Sequence, residues 1–297
     1  MQKRWTRGLA LSLCSILLWG LQPVALSYLV KTVPASAIAF YKTSSATIIF
    51  ALVMMFTGTF STLEQSKKSW LIFVFGGFAL AFSYATYNQA YLYISPSNAQ
   101  VYFQLSRILF AFFGIFIFKE KFSNTQWAGL AVLITGLILF FQNQITFDGS
   151  HNYYWGLSLI LLSSVTWALY AVFQKILVLR HSPLLVLVIV YFISSLMLVQ
   201  YADYKPLLNL NLPNWSALSY VCLSNMIAYW CFTEALKIWD ASRIGAISCL
   251  TPLVTILFSS FFSSQISVTE TFTWFTVLGA IATVFGSIIA SVRFERR

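Results

Sequence analysis

Gly8-Leu9-Ala10-Leu11-Ser12-Leu13-Cys14-Ser15-Ile16-Leu17-Leu18-Trp19-Gly20 returns in altered form as Gly156-Leu157-Ser158-Leu159-Ile160-Leu161-Leu162-Ser163-Ser164-Val165-Thr166-Trp167-Ala168. Gly8, Ser15 and Trp19 each stand 148 residues before Gly156, Ser163 and Trp167. Further on, Trp70, Tyr84 and Ala90 stand 145 residues before Trp215, Tyr229 and Ala235. Gly129 and Gly136 stand 150 residues before Gly279 and Gly286. A weak internal repeat of apolar segments is the mark of a duplicated membrane transporter. With an odd number of spans in each half, the halves insert upside down relative to one another. Two such halves can open one site first to one side and then to the other.

Composition agrees. The chain of 297 residues is 59% hydrophobic and 9% charged, against about 25% charged in a soluble domain. That much apolar surface needs the bilayer as its solvent. The net charge of +10 does not point to nucleic acid, because the basic residues are not massed on one helix or tail. They fall at the ends of apolar runs. Cys14, Cys222, Cys231 and Cys249 all lie inside apolar runs, with no CxxC pair and no His at metal spacing, so they read as buried, inert thiols. Neither a metal nor a cofactor is expected. The first residues imitate a signal peptide, but the apolar stretch runs on to Val30 without a small-residue cleavage site, which makes it an uncleaved first span.

A spanning helix needs about 20 apolar residues. Ten candidates follow: Gly8–Val30, Ala35–Gly58, Trp70–Tyr93, Ser97–Phe118, Thr125–Phe141, Tyr154–Leu179, Pro183–Tyr201, Trp215–Ile238, Ser242–Phe262 and Thr271–Ser291. Breakers mark the joints at Pro34, Ser95-Pro96, Asp148-Gly149, Ser182-Pro183, Pro206 and Pro213. With a cytoplasmic N-terminus, Lys3, Arg4, Arg7, Lys67, Lys68, Lys119, Lys121, Lys175, Arg180, Lys237, Arg243, Arg293, Arg296 and Arg297 lie inside, and only Lys31 and Lys205 outside. The expected fold is an all-α integral membrane protein of ten transmembrane helices. Two inverted five-helix repeats, 1–145 and 146–297, surround a central cavity. Both termini are cytoplasmic, in a bacterial-type inner membrane. Trp5, Trp70, Trp127, Trp155, Trp215, Trp239 and Trp274 sit near span ends, as an aromatic belt would.

Several stretches resemble the EamA-type family of the drug/metabolite transporter superfamily. They are Trp19-Gly20, echoed by Trp167-Ala168; the run from Ala90 to Glu120, with Lys119-Glu120-Lys121-Phe122-Ser123 and then Gln126-Trp127-Ala128-Gly129; and Ala235-Leu236 through Pro252 to Gln265. In the family each half tends to read Ala-Leu, then a Pro, then a Glu about thirteen residues later. Here Arg107 stands at the first proline position and Gln265 at the second glutamate position. The resemblance implies a ten-helix fold whose cavity is lined by spans one to four and six to nine. Spans five and ten would be peripheral, at a dimer contact in a homodimer and free in a monomer.

Ionisable residues inside a span are functional candidates, since each costs roughly 2.5–3.5 kcal/mol to insert. Lys42, Arg107 and Glu234 qualify. Polar stripes at helical spacing add Gln100, Gln104 and Arg107 on span four, Tyr84, Asn88 and Tyr91 on span three, and Asn225, Tyr229 and Phe232 on span eight. Trp19 and Gln22 mark span one; Trp167, Tyr170 and Gln174 mark span six. The expected substrate contacts are Trp19, Gln22, Lys42, Tyr84, Asn88, Gln104, Arg107, Trp167, Tyr170, Asn225 and Tyr229. Glu234 is the candidate for proton coupling, and Glu120 for a cap or gate. Structural roles compete: polar stripes glue helices, Arg107 would pair with a carbonyl or with Glu234, Lys42 would snorkel outward, and Glu234 would pair with Lys237 or Lys175. Two basic residues against one carboxylate leave room for an anionic ligand, so the expected function is secondary transport, in the direction of export, of a small carboxylate-bearing metabolite such as an amino acid. An exporter of lipophilic cations or drugs is the alternative, and a non-transporting receptor or scaffold the reading from another class. No HExxH, GxSxG or intramembrane His supports an enzyme.

Overall fold

The computed structural model describes residues 2–58, 67–142, 150–203, 205–261 and 273–291. The expected Asp148-Gly149 joint, Gln265, Arg293, Arg296 and Arg297 lie outside them. The helices are α1 (Gln2–Leu29), α2 (Ala35–Thr57), α3 (Lys67–Ala90), α4 (Pro96–Phe116), α5 (Asn124–Phe141), α6 (His151–Val178), α7 (Pro183–Leu198), α8 (Leu212–Ile238), α9 (Ala241–Ser248), α10 (Thr251–Phe261) and α11 (Trp274–Ser291). Among the described residues, eight helices are long and apolar enough to cross a membrane. The more polar α8 and the α9–α10 pair complete ten crossings.

The joints follow from local chemistry. Ser95, Ser123, Ser150, Ser182 and Asn211 each cap a helix by accepting from a backbone N–H three residues on, a contact worth about 1 kcal/mol. Three of these helices begin with Pro in the first turn, where its missing N–H is not needed.

The internal repeat appears as geometry. α1 packs on α8 as α6 packs on α3, and α1 meets α10 as α6 meets α4. Ser15 Oγ donates to the Ala228 carbonyl at 2.9 Å, and Ser163 Oγ donates to the Ser83 carbonyl at 2.9 Å. These two bonds are images of one another under the repeat offsets. Gly8 takes the ring of Trp239 against its backbone at one end of the bundle, while Gly156 takes Tyr93 and Ile94 at the other. The equivalent contacts stand at opposite ends because the halves are inverted.

The ninth crossing is not one helix. It breaks after Ser248 and restarts at Thr251. Pro252 has no N–H to donate to the Ser248 carbonyl, and its ring would crowd that oxygen. The Thr251 hydroxyl takes the freed acceptor at 2.7 Å. In α4, where Arg107 replaces a proline, the helix runs unbroken.

α5 and α11 pack on each other. A Cβ at Gly136 would lie 2.5 Å from the Thr283 nitrogen, and one at Gly279 would lie 2.7 Å from the Gly136 carbonyl oxygen. The repeat-related glycines are therefore used within the chain, to bring two outer helices into backbone contact.

Candidate functional site

A small cavity of about 30 Å³ lies at the centre of the bundle, room for about one or two water molecules. Trp19 and Gln22 of α1, Lys42 of α2, Ser83, Tyr84 and Tyr87 of α3, and Gln100, Phe103 and Arg107 of α4 form most of its wall. Trp167 of α6 and Asn225 and Tyr229 of α8 complete it. The repeat axis passes through this wall. Trp19 stacks edge-on against its mate Trp167, with ring centroids 6.0 Å apart, and Tyr84 does the same against its mate Tyr229 at 6.0 Å.

Hydrogen bonds fix the aromatic groups. Trp167 Nε1 donates to the Tyr229 hydroxyl at 2.7 Å. Tyr84 donates to Asn225 Oδ1 at 2.8 Å, and Asn225 Nδ2 donates to the Tyr191 hydroxyl at 3.2 Å. Gln22 Nε2 reaches Ser224 Oγ at 3.3 Å, and Gln100 Nε2 reaches the Tyr87 hydroxyl at 3.0 Å.

The basic residues differ from this network. Lys42 is 1% exposed, so it does not snorkel outward; its Nζ lies 4.1 Å from the centre of the Tyr84 ring. Arg107 is 3% exposed, with Cζ 5.2 Å from the Phe103 ring centre. Its Nε and Nη1 are buried without a hydrogen-bond partner among the described residues. Neither a helix carbonyl nor Glu234 takes those two donors, and no Asp or Glu lines the cavity.

The cavity wall thus gathers eight of the eleven residues expected from sequence. Three lie elsewhere. Asn88 is buried with its amide donating to the Ala35 carbonyl at 3.1 Å, tying α3 to the start of α2. Gln104 is outside the cavity wall, 3% exposed and beside a groove next to α5 and α6, with both amide atoms buried and unpartnered among the described residues. Tyr170 is fully buried behind Tyr229, 5.8 Å between ring centres. Ser83, Tyr87, Phe103 and Tyr191 are not among the residues expected from sequence. Tyr87 falls one turn from Tyr84 on the same face, and Phe103 lies between Gln100 and Arg107, so helical spacing points to both. Tyr191 is the phenol in α7, a helix otherwise apolar but for Ser194 and Ser195.

The two carboxylates stand at the end of the bundle that carries the start of α1. Glu234 pairs with Arg7 at 3.0 Å, not with Lys237 or Lys175. Lys175 instead donates to the carbonyls of Leu236 and Trp239 at 2.6 and 2.7 Å. Glu120 accepts from the backbone N–H groups of Ala241 and Ser242 at 2.7 and 2.8 Å. It caps the N-terminus of α9, where negative charge is favoured. Trp239 is not a belt residue: it is 5% exposed, buried on Gly8 and 6.0 Å from the Trp5 ring. Each of these contacts except those of Lys175 joins one half to the other. Glu120→Ala leaves two helix N–H groups uncapped and is expected to destabilise the fold by about 1–3 kcal/mol. A thermal melt checks this against Lys121→Ala, which should leave the transition in place.

The sequence matches the EamA-like transporter family over residues 6–142 and again over 154–292. It is 27% identical over 296 residues to an "Uncharacterized transporter" of Haemophilus influenzae, covering 98% of this chain and 97% of that protein. It is 29% identical to the "Uncharacterized inner membrane transporter YhbE" of Escherichia coli, covering 86% and 81%. A "Probable amino-acid metabolite efflux pump" of Salmonella typhimurium is 25% identical, covering 75% of each chain. A crystal structure superposes with a TM-score of 0.75 at 16% identity, covering 96% of this chain and 97% of that one, which speaks for the fold alone.

Proposed function

Because the chain belongs to the EamA-like transporter family, we propose that it is a secondary transporter exporting a small carboxylate-bearing metabolite, such as an amino acid, by alternating access. One observation carries the reading: Lys42 and Arg107 enter the cavity wall, and no carboxylate joins them. A guanidinium, whose planar donor set suits a carboxylate, stands here with its Nε and Nη1 unpartnered among the described residues. The Trp19, Trp167, Tyr84 and Tyr229 rings offer faces for an apolar or ring-bearing part. A lipophilic cation would meet two basic groups and no acidic one, which favours the anion. The Salmonella relative's name supports amino-acid export.

In this reading the halves 1–145 and 146–297 rock about the cavity, which widens to admit a metabolite. The end with Arg7 and Glu234 is cytoplasmic, as are both termini, in a bacterial-type inner membrane. Opening that end separates Arg7 from Glu234 and Glu120 from α9. Glu234 then loses its partner, which keeps it the candidate for proton coupling.

Uptake of labelled amino acids into liposomes holding the purified protein tests the reading. Saturable flux is expected, reduced at least tenfold in Lys42→Ala and in Arg107→Ala. Wild-type flux in both variants would sink the anion site, and flux that never saturates would replace a carrier with a channel.

A further inference from the structure

A second, lateral opening lies beside the central site. Between α2 and α8 runs a groove of about 430 Å³, with Tyr41, Ser44 and Ser45 on one wall and Trp215, Ser219 and Cys222 on the other. Its rim residues Ile48, Trp215 and Leu223 are exposed on the lipid-facing surface. The Ser44 and Ser45 hydroxyls are already bonded to the Phe40 and Tyr41 carbonyls. A passing apolar group therefore meets neither of these two hydroxyls as an unpaired donor. At the inner end stand Ser45 and Cys222, each three residues along its helix from a residue of the central cavity, Lys42 and Asn225. Lys42 and Asn225, one turn deeper, belong to the central cavity.

The repeat mate of this interface is closed. Gly77 stands 145 residues before Cys222, on α3. There the Ser194 hydroxyl of α7 donates to the Gly77 carbonyl at 2.8 Å, and a Cβ on Gly77 would lie 2.5 Å from Ile193 Cγ2. Lys42 lies over Tyr84, and Tyr191 lies 5.9 Å from the mate of Tyr84, Tyr229. Lys42 and Tyr191 therefore correspond, and so do Ser45 and Ser194, each three residues further on. Glycine lets α3 and α7 touch; cysteine at the equivalent place holds α8 off α2. The groove opens on the side where the basic Lys42 replaces a phenol.

We propose that the α2–α8 groove is a lateral portal from the bilayer to the central site, and that it takes the alkyl or aryl tail of an amphipathic carboxylate whose head group reaches Lys42 and Arg107. This rests on the carboxylate reading above. The groove surface is mostly apolar, so a tail moving into it from lipid loses little. The head group, which the bilayer core disfavours, gains a basic partner just inside.

The test uses decanoic acid carrying a diazirine near its methyl end, irradiated with the protein in nanodiscs and mapped by peptide mass spectrometry. Adducts are expected mainly on residues 41–48 and 215–223, falling at least tenfold with excess unlabelled decanoate. They should fall as far in Lys42→Ala and Arg107→Ala, and in Cys222→Gly, which lets α2 and α8 approach as α3 and α7 do. Adducts spread over all lipid-facing helices overturn the portal. Groove adducts that persist in both Lys42→Ala and Arg107→Ala also overturn it, as the mark of a seat for a lipid chain. Thermal shifts with tail-less amino acids on the same protein report on the carboxylate site alone. If these bind while the adduct pattern fails, only the portal falls; if no carboxylate of either kind binds, both readings fall.

Discussion

Arg107→Met weakens carboxylate binding by roughly 30-fold or more while leaving the ligand-free protein at least as stable as the wild type. The two effects come from one geometry. Nε and Nη1 of Arg107 are buried with no partner among the described residues. A buried unpaired donor costs roughly 1–3 kcal/mol, so removing the guanidinium relieves a penalty, and the methionine fills similar volume. Binding moves the other way. Truncating one side of a buried charged hydrogen-bonded pair costs about 2–5 kcal/mol, which is roughly 30-fold to several thousandfold in affinity. Arg107→Lys keeps a basic group and loses the fork, and should fall between. Melting curves with and without the amino acids that shift the wild type, beside liposome flux, check both arms. A melting temperature several degrees lower in the ligand-free Arg107→Met protein, with flux intact, would make Arg107 a structural residue.

Gly286→Leu prevents the fold from assembling. A Cβ there would lie 2.6 Å from Leu133 Cα and 2.7 Å from the Gly129 carbonyl oxygen. Both are backbone atoms of α5, so no side-chain rotation relieves the overlap. The helices must part, and the repeat-related contact of Gly279 on Gly136 is carried along with them. Overpacking in a tight core costs about 1–3 kcal/mol and more where neighbours cannot move. Size-exclusion profiles in detergent should show aggregate in place of a single peak. Ile288→Leu, at a half-exposed position on the same helix, should run like the wild type.

Much of this architecture is legible before any coordinates, because a bilayer makes each crossing a long apolar run ended by Ser-Pro or a charge. The two inverted halves follow from offsets at Gly8, Ser15 and Trp19. The cavity residues Trp19, Tyr84, Trp167 and Tyr229 are legible for the same reason: repeat mates near the axis must meet. Lys42 and Arg107 stand out because basic side chains are costly in a span. What the sequence hides is rotation about each helix axis. Asn88 and Gln104 share the spacing of the cavity residues, yet one bonds a carbonyl of α2 and the other lies outside the cavity wall, beside a groove next to α5 and α6. Tyr191 is hidden by the apolar run around it. Glu234 and Trp239 look like an intramembrane acid and a belt anchor, but their partners Arg7 and Gly8 lie more than 200 residues earlier, beyond the reach of local pattern.

The break at Pro252 has a kinetic meaning. α4 must tilt as one rod, whereas α9 and α10 already meet at a joint and can swing separately. Exposing the site to one face of the membrane and exposing it to the other are then different movements with different barriers. Unequal barriers set how fast each half-cycle turns over. They cannot make the cycle run uphill, because an equilibrium is indifferent to the height of the path that leads to it, so net direction must come from the concentrations on the two sides.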